Sequence, residues 1–254
     1  MKIKKISKKK NNLYQILLSD NTSLSFYDDT IIKYSLLINR SFDDKTLQEM
    51  LAFNNESAAY YKALSYIKAK LRTKKEIEDK LKKLGYTNNV VLNTIKRLEK
   101  QKYLNDDIYI KAYISDQVNL TLKGPKKISQ ELIKLGFKEE IVNTYIDKYS
   151  NDLWKEKIIK IINKKIKSNH NLSKKMLINK IKSDLINLGY NLEMINKLLN
   201  NIDYQNDEEI LNKEINKAIK KYSKKYHGKD LELKVKMYLY SKGFDYNIDI
   251  NNYL

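Results

Sequence analysis

Nine cationic side chains stand where the sequence allows chemistry with an anion. Arg72, Lys74 and Lys75 flank one expected helix start, and Lys174 and Lys175 flank another; Lys111, Lys123, Lys126 and Lys127 gather around a Gly124-Pro125 turn. A helix N-terminus offers unpaired amides and the positive end of the helix dipole, so lysines there extend a site suited to phosphate or carboxylate. The plainer alternative is a solvated helix start, with Arg72 holding a neighbouring carboxylate.

Other chemistry finds little support. The only two histidines, His170 and His227, lie in separate Lys/Asn-rich stretches, and there is no cysteine. A metal site needs a cluster of such ligands. Lys123-Gly124-Pro125-Lys126 lacks the second glycine and the Ser or Thr of a phosphate loop. Glu139-Glu140 and Glu208-Glu209 fall at expected helix starts, where the dipole accounts for them. No nucleophile stands at a defined spacing from a base. The expectation is a protein that works by binding, not an enzyme, with no catalytic residue, metal or cofactor.

The net charge of +19 favours an anionic partner, single- or double-stranded DNA or an acidic protein groove, although the richness in Lys, Asn and Ile contributes to it. Binding dominated by phosphate contacts would depend strongly on salt. Residues 58–106 hold 13 basic and 5 acidic side chains and residues 153–207 hold 11 and 5, while 107–152 hold 7 of each. The first and third of these segments are the expected polyanion contacts, and the neutral middle one the expected protein contact. Most of the 20 tyrosines fall on apolar stripes and read as core; Tyr103 and Tyr109 leave base stacking open.

The elements that position these residues recur. Leu84-Gly85-Tyr86, Leu135-Gly136-Phe137, Leu188-Gly189-Tyr190 and Lys242-Gly243-Phe244 stand 51, 53 and 54 positions apart. Before each glycine runs a helical stripe: Ile77, Leu81 and Leu84; Ile128, Leu132 and Leu135; Ile181, Leu185 and Leu188; then Val235 and Leu239. The glycine supplies a left-handed C-terminal cap, and a further helix follows within two to four residues. With the helix that precedes each pair, this makes three helices per repeat, and such units are expected to stack in an elongated, curved array. Thr73-Lys74-Lys75-Glu76 reads as a capping box. Asp106 or Asp107, Asp152, Ser173, Asp207 and Asp230 are the expected N-caps elsewhere, and Pro125 fits a first helical turn.

Residues 1–45 read as a small β-rich unit. Tyr14–Leu18 and Ser23–Tyr27 are strands joined by Ser19-Asp20-Asn21-Thr22, with a further strand near Ile3–Ile6 and a short helix capped within Asp28-Asp29-Thr30. The fold class is thus mainly α: tandem three-helix, helix-turn-helix-like repeats behind the N-terminal β-rich unit. The boundaries are 46–106 for a linking helix, begun near Thr46, with repeat one, then 107–152, 153–207 and 208–254, where Asn247–Leu254 either completes the last helix or frays. No apolar run approaches the roughly 18 residues of a membrane span. Met1–Lys10 is charged with no apolar stretch behind it, so it is not a secretory signal. A cytoplasmic monomer without membrane contact is expected.

From Ala58 to about Leu135 the chain resembles the RecX family. The carriers are Ala63-Leu64-Ser65-Tyr66-Ile67, Arg72-Thr73-Lys74-Lys75-Glu76-Ile77, Tyr103-Leu104-Asn105-Asp106 with Tyr109 and Tyr113, and Gly124-Pro125-Lys126-Lys127-Ile128 with Glu131-Leu132. The resemblance implies a non-enzymatic protein that binds RecA, lodges in the groove of the RecA–DNA filament and limits its ATPase and strand exchange. It implies direct DNA contact in some members. The family usually shows more arginine than this lysine-rich chain, and lysine cannot make the bidentate phosphate or carboxylate contact that arginine makes. A DNA-binding helix-turn-helix protein acting without RecA is the alternative reading.

Overall fold

The computed structural model describes residues 1–200, 207–250 and 253. The chain divides into two compact units, Met1–Lys111 with Leu135–Phe137, and Ala112–Lys134 with Lys138–Leu254.

The first unit opens with an antiparallel sheet of β1 (Ile3–Lys8), β2 (Leu13–Leu18) and β3 (Ser23–Tyr27) in that spatial order. Alternation places Ile3, Ile16, Leu18 and Phe26 on the buried face, where Leu36 and Met50 complete a core. Three strands are marginal alone. Stability comes from α2 (Asp44–Ala69), a single helix of 26 residues. A linking helix and a separate first helix of repeat one are expected from the sequence; with no Gly or Pro between them, the two are continuous. Asp43 caps α2, accepting from the Thr46 amide at 2.8 Å. Asn54 on α2 accepts from Tyr27 N–H at 2.8 Å and donates to Ser25 O at 3.1 Å, so the helix is laced to the edge of β3. The short helix α1 (Asp28–Lys33) is preceded by Tyr27, which has no capping side chain; Asp28 and Asp29 occupy its first turn instead. Asp29 receives Arg97 at 2.6 Å, and Arg97 lies 3.7 Å over the Tyr60 ring.

Repeat one combines the end of α2 with α3 (Lys74–Lys83) and α4 (Asn88–Lys100). Ala59, Ala63, Ile77, Leu81, Val91, Ile95 and Leu98 form its core. The same design returns as α5 (Asp106–Leu120), α6 (Pro125–Lys134) and α7 (Glu139–Ile146), then as α8 (Asn151–Lys167), α9 (Lys174–Asn187) and α10 (Leu192–Leu199). Ile128, Leu132, Val142, Ile146, Ile181, Leu185, Ile195 and Leu199 are buried, as their helical spacing requires. The boundary between the two units falls within α5. A last pair, α11 (Asp207–Tyr222) and α12 (Gly228–Ser241), buries Ile215, Ala218, Val235 and Leu239. Of the C-terminal tail, Ile250 is fully buried and Tyr253 hydrogen-bonds Asn212; Asn251, Asn252 and Leu254 lie outside the described residues, as do positions 201–206 at the end of the third segment.

Gly85, Gly136, Gly189 and Gly243 all have φ between +85° and +99°, the left-handed cap that the repeated glycine serves. Several N-caps differ from the sequence reading. Asn105, not Asp106 or Asp107, accepts from the Ile108 amide at 3.1 Å, and Ser150, not Asp152, accepts from Leu153 at 3.2 Å. Asp152 is instead in the first turn of α8. Asp230 is likewise in the first turn of α12, whose cap position is His227. In each case the aspartate near the helix start serves the dipole while a residue just upstream takes the cap position. Ser173 caps α9 as expected. Asp207 opens α11 and accepts from the Lys174 amide at 2.7 Å.

Candidate functional site

The starts of α3, α6 and α9 carry most of the candidate cations, and each is met by the glycine turn of the repeat that follows. At α3 a methyl group placed on Gly136 would stand 3.2 Å from Lys75 Cβ. At α6 the contact is backbone to backbone: Gly124 N–H donates to Leu188 O at 2.7 Å and Lys126 N–H to Gly189 O at 3.1 Å, while Tyr190 Oη donates to Leu122 O at 3.0 Å. A Cβ on Gly124 would lie 2.8 Å from Gly189 C and O, and one on Gly189 would lie 2.3 Å from Lys127 N. At α9 Ser173 Oγ donates to Lys242 O at 2.7 Å, and a Cβ on Gly243 would lie 2.8 Å from Met176 Cγ. At α6 the negative end of one helix therefore sits on the positive end of another. Two of the amides that an anion would use there, those of Gly124 and Lys126, are already engaged.

The side chains divide accordingly. Arg72 pairs with Glu76 at 3.0 Å and lies 3.6 Å over the Tyr66 ring. The capping box beside it is closed on both sides: Glu76 N–H donates to Thr73 Oγ1 at 3.1 Å, and Thr73 N–H to Glu76 Oε2 at 2.9 Å. Lys74 bridges Glu99 at 2.6 Å and Asp106 at 3.0 Å. The Glu99 hydrogen bond, ahead of the opposing cost of burial, holds its pKa above the ordinary lysine value. Lys75 is exposed. Lys111 belongs to the first unit and pairs with Asp107 at 2.7 Å. Lys123 joins Glu131 at 2.7 Å, and Tyr113 Oη donates to the same carboxylate oxygen at 2.8 Å. Burial pushes the Glu131 pKa up, but these two hydrogen bonds more than offset it and leave the carboxyl below its usual value.

Lys126, Lys127, Lys174 and Lys175 make no ion pair among the described residues. Lys126, Lys174 and Lys175 are exposed and Lys127 is half-buried. Lys126 and Lys127 line a cleft of about 590 Å³ with Gln130, Asn187 and Asn191, whose walls carry no acidic side chain. Tyr109 packs on Phe137 with ring centroids 5.5 Å apart, while Tyr103 is 48% exposed. Structural cations lie outside the sequence candidates: Arg97 pairs with Asp29, and Lys157 donates to Val118 O and Thr121 O at the C-terminal end of α5, where burial lowers its pKa. Among the described residues no group of three or more His, Asp or Glu is arranged to hold a metal ion, and no helix is long and apolar enough to cross a membrane.

Residues 59–98, spanning the end of α2 through α4, match a family model described as RecX, first three-helix domain. A regulatory protein RecX from Bacillus subtilis is 30% identical over 252 residues, covering 97% of this chain and 95% of its own length. One from Listeria monocytogenes is 30% identical over 221 residues, with 85% and 82% covered. A crystal structure of regulatory protein RecX aligns with 77% of this chain and 97% of its own at a TM-score of 0.68 and 23% identity, which speaks to fold. RecX from Lactobacillus salivarius aligns at a TM-score of 0.54 and 30% identity, covering 57% of this chain and 95% of its own.

Proposed function

Because the chain belongs to the RecX family of regulatory proteins, we propose that it acts by binding the RecA recombinase and its DNA filament, restraining ATP hydrolysis and strand exchange without chemistry of its own. The observation that carries this reading is the match to a RecX regulatory protein over nearly the whole of both chains. It works as a cytoplasmic monomer. The lysines without ion pairs, Lys126, Lys127, Lys174 and Lys175, face the filament; Arg72, Lys74, Lys111 and Lys123 are held by carboxylates of this chain and contribute chiefly to its stability. Lys75 is the exposed candidate of the first repeat. The test is a titration of the protein into RecA saturated with single-stranded DNA, following ATP turnover at low salt. Turnover falls as the protein approaches stoichiometry with RecA; turnover that stays flat overturns the reading.

The charge of +19 favours a second reading, direct binding of DNA without RecA. Tight, sequence-selective duplex binding in the absence of RecA is its signature. Weak binding that disappears with salt assigns the charge an auxiliary role on the filament.

A further inference from the structure

Three of the four glycine turns in this chain sit on a helix start, and the fourth does not. Gly136, Gly189 and Gly243 each approach the first turn of the preceding repeat's middle helix so closely that an added Cβ would meet it at 3.2 Å or less. A Cβ on Gly85, with φ +86°, would meet nothing within 4 Å. Leu84, the counterpart of Leu135 and Leu188, is 48% exposed, whereas those two are half-buried. The carbonyl that Leu188 gives to Gly124, and that Lys242 gives to Ser173, has its equivalent in Leu84 O. Leu84 O and Gly85 O accept no hydrogen bond among the described residues.

We propose that the Leu84-Gly85 turn is a docking plug for the start of a helix in the protein partner; this rests on the reading that the partner is the RecA filament. The chemistry of the seat follows from the α6 joint, where two amides of the helix start meet the two carbonyls of the turn. The position just before each helix is small, Thr73, Gly124 or Ser173, so that the turn can approach. Its amides donate to the two open carbonyls. Acidic residues in its first turn complement Lys80 and Lys83, which are exposed at the end of α3. Among the described residues the middle helices of a second copy of this chain offer no such seat: those of α3, α6 and α9 are filled, and α12 begins behind the bulkier His227.

The test uses the full-length chain with Gly85→Asn and, separately, Leu84→Glu. Asparagine tolerates the left-handed conformation, and its side chain has open space here yet would strike a seated helix. Binding is measured against RecA filaments on single-stranded DNA by co-sedimentation, beside the urea midpoint and affinity for single-stranded DNA alone. Each variant is expected to bind filaments at least about tenfold more weakly, a change of about 1.4 kcal/mol, with the other two readouts unchanged. Filament affinity equal to that of the unmodified chain overturns the plug and leaves RecA binding intact. An unmodified chain that does not sediment with filaments overturns both. If Gly85→Asn lowers the urea midpoint, Leu84→Glu, which keeps the glycine, decides.

Discussion

The starts of α3 and α6 occupy the same place in successive repeats, yet they are satisfied in opposite ways. Thr73 and Glu76 close α3 from within, and Arg72 and Lys74 are tied to Glu76, Glu99 and Asp106. At α6 Gly124 has no side chain to cap with, and the carbonyls of Leu188 and Gly189 take its amides. The first start is self-sufficient, while the second is completed by residues more than 60 positions away. The loss of a capping side chain gives the backbone room to approach, and the neighbour becomes the cap. The lysines differ too: Lys74 at α3 is held between Glu99 and Asp106, whereas Lys126 and Lys127 at α6 line a cleft without a carboxylate.

The contrast breaks most sharply at the glycines. Gly189→Ala forces a Cβ to 2.3 Å from Lys127 N, against backbone that cannot yield, so α9 must lift from α6. A loss of several kcal/mol is expected in urea unfolding. Gly136→Ala meets the flexible Lys75 side chain and adds mainly left-handed strain, about 1–2 kcal/mol. Equal losses at the two sites would erase the distinction.

Next in size is the removal of one cation from each start. Arg72→Ala removes a contact with the Tyr66 ring and a half-buried pair with Glu76, and is expected to cost about 1–2 kcal/mol of stability. Lys126→Ala is expected to leave the urea midpoint within about 0.5 kcal/mol, as exposed positions do. It is expected to weaken RecA-filament binding and flatten its salt dependence. An Arg72→Ala chain of full stability would show that its partners are incidental.

The smallest effect is a pH slope in the second repeat. The Glu131 pKa is lowered in the folded chain, so ionised Glu131 contributes stability above the ordinary carboxylate pKa. That contribution is lost as pH falls through the lowered, folded-state value. Thermal melts of the unmodified chain and of Glu131→Gln should differ at neutral pH and converge as pH falls through the carboxylate range; parallel curves would remove Glu131 from the account.

Much of this was legible in the sequence because it is local. The Thr73–Glu76 box, the left-handed glycines, the apolar stripes and the strands around Ser19–Thr22 rest on neighbours within a few positions. The errors were local too, but turned on small offsets: Ser150 two residues before Asp152, and Asn105 just before Asp106. What could not be read was the pairing of Gly124 with Gly189. Gly124 does not adopt a left-handed conformation; it is glycine because another backbone lies 2.8 Å from where its Cβ would be. Nothing in a one-dimensional stripe marks a close approach between distant segments. For the same reason the fate of each lysine was hidden, since Lys74 is decided by Glu99 and Asp106.

The direction of these joints has a consequence for the chain as it is made. Each seat is synthesised before its plug: α6 leaves the ribosome with its amides uncovered, and Leu188 and Gly189 follow more than 60 residues later. The same delay separates Ser173 from Lys242. Completion of these two joints therefore lags synthesis by one repeat, each seat waiting on the repeat behind it. A chain that stopped short of Lys242 would lack the carbonyl that Ser173 needs.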